Sequence, residues 1–414
     1  VKTLNVIQGV ALSFALVGSS AKGAASDPER QDLFVAGGAY ETCRIPGLIV
    51  TPKGSMLAYC EARRGSRGDW TDIDLLLRRS TDGGRTWSPA RDLIKLPDPQ
   101  PRNPRRAELV GEMGPEQVNA RTYHNCVMIP DRDTGSIHCI FCLDYWRCFY
   151  MRSDDDGVTF STPREITDVI AGYRDKGIPW RVVGNGTGNG IQLSNGRLVE
   201  AVWLSPSTQV HGGGHRPGNV GTLYSDDHGA TWKIGDVVLL NSEEFPNPSE
   251  TCEVELSGGR VLFNTRIEGL KYRRSYSISP DGASNWTPAA FDMALFDPWC
   301  EASLLRVSTK PNTILFCNPD SRNSAPEVRP GIGGKSKARR NLTIKVSYDD
   351  CQTWTVSKVI DPGVAGYSDM AVAADGTIFC LYERGSVNGS HTATAALTLV
   401  RFNLAWLTDG HDSL

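Results

Sequence analysis

The hydrophobic positions of this chain fall into short runs and alternations of strand length. Residues 136–143 read Ser-Ile-His-Cys-Ile-Phe-Cys-Leu, residues 261–265 read Val-Leu-Phe-Asn-Thr, and residues 342–346 read Leu-Thr-Ile-Lys-Val. Runs of this length, rich in β-branched and aromatic residues and bounded by turn residues, predict β-strands. No stretch carries a helical period long enough for a bundle. Polar punctuation between the strands repeats as Ser-x-Asp-x-Gly-x-Thr-aromatic. It occurs at Ser80, Asp82, Gly84, Thr86, Trp87, at Ser153, Asp155, Gly157, Thr159, Phe160, and at Ser225, Asp227, Gly229, Thr231, Trp232. A fourth copy, Ser347, Asp349, Thr353, Trp354, has Cys351 where the others have glycine, and a worn copy lies at Ser279, Asp281, Trp286. Each copy predicts a tight turn: glycine accepts positive φ, aspartate caps backbone N–H groups, and the aromatic ring pins the turn to the layer below.

Successive serines of the pattern lie 73, 72, 54 and 68 residues apart. A period of about 67 suits a four-stranded unit with generous loops, and roughly 385 residues after the N-terminal segment give about six units. Repeated antiparallel sheets arranged radially leave only short protected edges. The expected fold is therefore all-β, a six-bladed β-propeller of four-stranded antiparallel blades, forming one domain over residues 26–414. Such turns are structural and leave the function open.

Composition removes some function classes. With 44 basic and 47 acidic residues the net charge is −3, so no global positive field points to nucleic acid. Two local basic clusters exist, at residues 102–106 and 335–340. Residues 1–25 differ from the rest: Lys2 precedes an apolar run at 10–18, followed by small residues up to Ala25. That layout reads as a secretory signal peptide and predicts a secreted or periplasmic protein, the run being too short to span a bilayer. The eleven cysteines pull the other way. The count is odd and most lie in apolar runs, as buried thiols do, rather than in a disulfide framework. Cys139 and Cys142 sit at i and i+3 of a strand and point to opposite faces, which argues against a metal or redox pair.

Three arginines stand at the ends of strand-like runs: Arg44 in Cys-Arg-Ile-Pro-Gly before residues 48–50, Arg266 after residues 261–265, and Arg339 before residues 342–346. Taken singly, each reads more readily as a surface ion pair. Converging on one mouth of a propeller, they would form a like-charge cluster suited to an anion, and the planar guanidinium fork suits a carboxylate.

The ordered set of Arg44-Ile-Pro, the repeated turns (Asp-boxes), the Tyr367-Ser pair and the Tyr382-Glu383 pair resembles the exo-α-sialidase (neuraminidase) family of bacterial and animal type. Further similar stretches are Ala62-Arg-Arg with the following Gly68-Asp-Trp-Thr-Asp, and Gly188-Asn-Gly-Ile-Gln-Leu. The resemblance runs over about residues 36–407. It implies a carboxylate-binding triad of Arg44, Arg266 and Arg339, with Arg340 as the alternative third member. Glu383 would support Arg44, and Arg63 would contact substrate. The implied acid/base is Asp69, with Asp72 and Asp74 as rivals. The implied nucleophile is Tyr367, paired with Glu250 or, failing that, Glu253 or Glu255.

The implied activity is exo-hydrolysis of terminal α-linked sialic acids from glycans, glycoproteins or glycolipids. It would proceed with net retention and without a cofactor or metal; a tyrosine, unlike a carboxylate, is not repelled by the substrate's carboxylate. Glu250 would take the phenol proton and neighbouring arginines would favour the phenolate. A trans-sialidase or a non-catalytic sialic-acid-binding propeller are the alternatives. His211 and His215, flanking a run of glycines, are the sequence's nearest approach to a metal pair.

Overall fold

The structure is a computed structural model that describes residues 28–412 apart from 66, 111–117, 209–213, 324–337 and 387–393. The expected signal peptide and His211 lie outside these residues. Helices among the described residues are short, such as Thr167–Ala171 and Leu404–Leu407, and none is long and apolar enough to cross a membrane. The alternating run forms the strand Ile137–Leu143, and Cys139 and Cys142 do point apart, the first towards Cys126 and the second towards Cys148.

All sheets are antiparallel and the arrangement is propeller-like, but six separate four-stranded blades are not found. Three sheets have four strands, built from Thr42–Val50 onward, Tyr123–Pro130 onward and Thr251–Glu255 onward; a fourth, from Val182–Asn185 onward, has five. These are four distinct blades. The remaining strands join into one seven-stranded sheet. The reason is the strand Val356–Val372, 17 residues long. Its first part pairs with Arg340–Ser347 and its second with Ile378–Arg384, so one strand belongs to both halves. The N-terminal strand Glu29–Val35 completes this sheet by pairing with Ala396–Phe402. The first strands of successive sheets pack side by side about a common axis, and Val356–Val372 closes the circuit against Thr42–Val50.

The repeated turns share one geometry. In the first, the Ser80 hydroxyl donates to Asp82 (2.8 Å) and accepts from Gly84 N–H (3.0 Å), while the Thr86 hydroxyl donates to the other Asp82 oxygen (2.6 Å). The fourth copy reproduces these contacts at 2.9, 2.9 and 2.6 Å. Cys351 takes φ 65° there, the left-handed region that glycine occupies in the other copies, a position costly for a side chain. The worn copy keeps the Ser279–Asp281 contact, and Trp286 packs on Phe263.

Along the axis lie buried carboxyls that the mouth residues do not explain: Glu200, Glu253, Glu301 and Asp369 are each no more than 4% exposed. Glu200 accepts Gly186 N–H (3.0 Å) and Glu301 accepts Ser368 N–H (2.9 Å), but one oxygen of each of Glu200, Glu253 and Glu301 has no hydrogen-bond partner among the described residues. Burial, and for Glu253 also the neighbouring Glu200, push these acids well above the ordinary glutamate range. A folded state that keeps a proton where the unfolded chain has released it loses stability as pH rises above that range. Glu253→Gln, which needs no proton, is therefore expected to raise Tm relative to wild type, and the gain should grow from pH 5 to pH 8. Thermal melts at both values check this, and a gain equal at both would show that Glu253 holds no proton.

Candidate active site

A cavity of about 360 Å³ opens where the inner strands end. Its residues are aimed by local breaks in strand pairing. Strand Thr42–Val50 shifts register between Arg44 and Gly47 against Met56–Arg64. Ile45 takes φ 56° there, rare for a β-branched residue, and this bulge turns Arg44 into the cavity. Gly47 is required beside it: a Cβ would lie 2.0 Å from the Tyr59 ring. A second shift, between Ala365 and Ser368, aims Tyr367, and a Cβ on Gly366 would meet Glu383 at 2.3 Å. A third, between His124 and Val127, turns Asn125 N–H onto Glu61 (3.0 Å). Bulges thus supply what regular strands cannot, a cluster of side chains aimed at one point.

Tyr367 is 4% exposed at the centre. Its hydroxyl donates to Glu250 and accepts from Arg266 Nη1 (2.9 Å), and Arg266 is also ion-paired with Glu250. Glu250 and Arg266 meet because they flank paired strands: Thr251 lies opposite Thr265, and Arg266 N–H donates to the Glu250 carbonyl (3.0 Å). The guanidinium carbons of Arg44 and Arg339 each lie 5.0 Å from the Tyr367 ring centroid. Arg44 is held by Glu383 (2.9 Å), whose carboxylate also accepts the N–H groups of Ile45 and Tyr367, each at 3.2 Å. Arg339 donates to the Trp299 carbonyl (2.8 Å) and has no carboxylate partner among the described residues.

Asp69 sits in the loop after Met56–Arg64, which the Thr71 hydroxyl closes onto the Arg64 carbonyl (2.6 Å). Its side chain is 46% exposed and pairs with Arg63 at 2.8 Å. Arg63 is itself anchored by Glu61 (2.8 Å) and by the Arg67 carbonyl (2.8 Å).

The electrostatics distinguish the two chemical groups. Burial pushes the Tyr367 phenol well above its ordinary value, and the Glu250 charge adds to this; Arg266, Arg339 and Arg44 oppose it without prevailing. The arginines do favour the phenolate, as the sequence suggested, but desolvation and the Glu250 charge outweigh them. At Asp69 the balance is opposite. Burial would raise its proton affinity, but Arg63, with His215 and Arg44, holds the carboxyl well below the usual range.

The structure brings Tyr367, Glu250, Asp69, Arg44, Arg63, Arg266 and Arg339 to one cavity, with Glu383 directly behind Arg44. It separates the alternatives from them. Asp74 is tied to Arg64 (2.6 Å) and Tyr40 (2.9 Å), and Asp72 faces a different cavity. Glu253 and Glu255 line a cavity that contains none of these residues. Arg340 does not line the site.

Sequence reasoning missed the opposite wall, made of Trp70, Tyr145, Trp203 and His215. The His215 ring lies 4.7 Å from Tyr145 and 5.3 Å from Trp203, in an aromatic setting and not a metal-ligand one. It also missed Glu268, which bridges Arg266 (2.9 Å) and Arg216 (2.7 Å). Only Glu61 left a signal, sharing a strand face with Arg63.

A family model described as BNR repeat-like domain matches residues 116–380, and one for a BNR/Asp-box repeat matches residues 78–89. The chain is 31% identical to a sialidase of Micromonospora viridifaciens, over 91% of this chain and 54% of that protein. It is 29% identical to a sialidase of Bacteroides fragilis, over 82% of this chain and 59% of the relative. The chain thus spans little more than half the length of these relatives. Among solved structures it resembles the Hadza microbial sialidase Hz136, with TM-score 0.67 and 25% identity over 89% of this chain and 67% of that one. The fold is shared with the intramolecular trans-sialidase of Ruminococcus gnavus, with TM-score 0.69 and 18% identity over 94% and 99%.

Proposed function

The chain belongs to the exo-α-sialidase family with Asp-box (BNR) repeats, and we propose that it hydrolyses terminal α-linked sialic acids from glycoconjugates with net retention. The observation that carries this reading is the Tyr367 hydroxyl, held between Glu250 and Arg266 beneath the guanidiniums of Arg44 and Arg339. The sugar's carboxylate would lie on these arginines, which places its anomeric carbon near the Tyr367 oxygen. Glu250 accepts the phenol proton as that oxygen attacks, so no free phenolate is needed beforehand. Asp69 protonates the departing glycosidic oxygen and then takes a proton from the water that releases the sugar. Trp70, Tyr145 and Trp203 offer an apolar wall for the rest of the sugar. Residues 26–414 would act as one catalytic domain outside the cytoplasm.

Proton NMR of an aryl α-sialoside during turnover tests the reading. Release of the α-anomer first is the expected result. Initial release of the β-anomer, or binding without release, would overturn it, and an anhydro or acceptor-linked product would make the protein a transferase.

Among the described residues Arg339 has no carboxylate partner, unlike Arg44 and Arg266, which are held by Glu383 and by Glu250 and Glu268, so its guanidinium is the one offered to an incoming carboxylate. Arg339→Ala is expected to lower kcat/KM by about 30- to 1000-fold, mainly through KM, as loss of a desolvated charge-assisted pair does. Steady-state kinetics of Arg339→Ala beside Arg340→Ala check this; a larger loss in the Arg340 variant would refute the assignment.

A further inference from the structure

Eight of the eleven cysteines lie in pairs, although all are free thiols in this structure. Cys126 and Cys139 have sulfurs 3.5 Å apart, Cys317 and Cys380 3.9 Å, and Cys43 and Cys60 share a hydrogen bond. Of these pairs, only the remaining one is in strand register: Cys142 and Cys148 face each other directly across the hairpin of Ile137–Leu143 and Arg147–Ser153. Their sulfurs are 2.9 Å apart, closer than two unbonded sulfurs normally rest, and both residues are 0% exposed. Directly opposed residues of an antiparallel pair have Cα separations that a disulfide accepts without backbone movement.

We propose that Cys142 and Cys148 are the site of a cross-strand disulfide that fixes the tip of this hairpin in the pocket wall. The tip is Asp144, Tyr145 and Trp146, and it is a demanding turn. Asp144 and Tyr145 take φ 59° and 51° in succession. Asp144 is clamped by Arg102 (2.6 Å) and Arg106 (2.5 Å), and Tyr145 N–H donates to His124 Nε2 (2.7 Å) with the two rings stacked at 3.6 Å. Tyr145 lines the cavity between Trp70 and His215. A bond one residue inside the strand ends, next to the last pair Leu143–Arg147, would hold that turn closed whatever chemistry the cavity performs. The oxidant is a small-molecule disulfide such as oxidised glutathione. One cysteine thiolate attacks it, releasing one glutathione thiolate and forming a mixed disulfide. The second then displaces the other glutathione, leaving one protein disulfide and two glutathione thiols. Because both sulfurs are buried in the native state, the bond forms as the chain folds.

Trypsin cleavage after Arg147 separates the two cysteines into peptides 133–147 and 148–152. The test is to refold the chain in reduced and oxidised glutathione, alkylate remaining thiols under denaturing acid-quenched conditions, digest, and weigh the peptides. The expected result is one joined species that reduction splits, and that persists in Cys139→Ser, since Cys139 shares the first peptide. Recovery of both peptides fully alkylated, or loss of the joined species in Cys139→Ser, overturns the proposal. In a second measurement, reduction should lower Tm of the oxidised protein by about 3 °C and leave that of Cys142→Ser unchanged. An equal fall in both would assign the effect to another pair. Should Cys142→Ser fail to fold, the peptide map of the wild-type chain decides alone.

Discussion

Replacing Tyr367 with phenylalanine is expected to lower kcat by about 10⁴-fold or more on every α-sialoside, with KM little changed. The substitution removes one oxygen and leaves the ring beneath Arg44 and Arg339, so the carboxylate clamp keeps its floor. Glu250 keeps Arg266 as partner and Arg266 keeps Glu268. What disappears is the atom that would bond to the anomeric carbon. Losses of this size accompany removal of a nucleophile that works as part of a unit. Burial and the Glu250 charge hold the phenol neutral in the resting protein, so Glu250→Ala should also be severely impaired, because attack and proton transfer are linked. Steady-state kinetics with an aryl sialoside and a sialyl-oligosaccharide provide the check. Retention of more than a tenth of kcat by the phenylalanine variant would rule out nucleophilic attack by Tyr367.

What could be read from the sequence was what is local. The Ser–Asp–Gly–Thr turns are closed by side chains within four residues of one another, and each copy, even the one with Cys351, has the contacts its pattern predicts. The number of blades was not local. Residues 361–363 read Asp-Pro-Gly, a turn signal, yet the strand Val356–Val372 passes through them and fuses what the period suggested would be two sheets. At the site, the arginines and the tyrosine were found through resemblance to a family. Their physical reasons are bulges at Ile45 and Tyr367, visible in sequence only as the small residues Gly47 and Gly366 beside them. Tyr145 and Trp203 of the aromatic wall, and Glu200 and Glu301 among the axial carboxyls, gave no signal. Trp70, Tyr145 and Trp203 come from distant segments, and a glutamate in an alternating strand reads as solvent-facing until the closed ring of strands buries it.

Asp69→Ala is expected to separate two kinds of substrate. On a natural glycoside, whose leaving group is a sugar alkoxide, the variant should lose about 10²- to 10⁴-fold in kcat/KM, the usual worth of proton donation. On an aryl sialoside with a leaving phenol of low pKa it should retain at least about ten times more of the wild-type activity, because that oxygen departs with little help. Arg63 stays anchored in the variant by Glu61 and the Arg67 carbonyl, so loss of its ion pair with Asp69 should leave the wall standing. In the free protein Asp69 is ionised and its side chain is 46% exposed. A bound sugar would take that exposure away, and desolvation raises a carboxyl's affinity for a proton. On this reading the acid would be made by the substrate that needs it. Neither rival can stand in, since Asp74 is paired with Arg64 and Asp72 lies in another cavity. Equal losses on the two substrates would therefore assign Asp69 a structural role and leave the leaving group to be protonated by solvent.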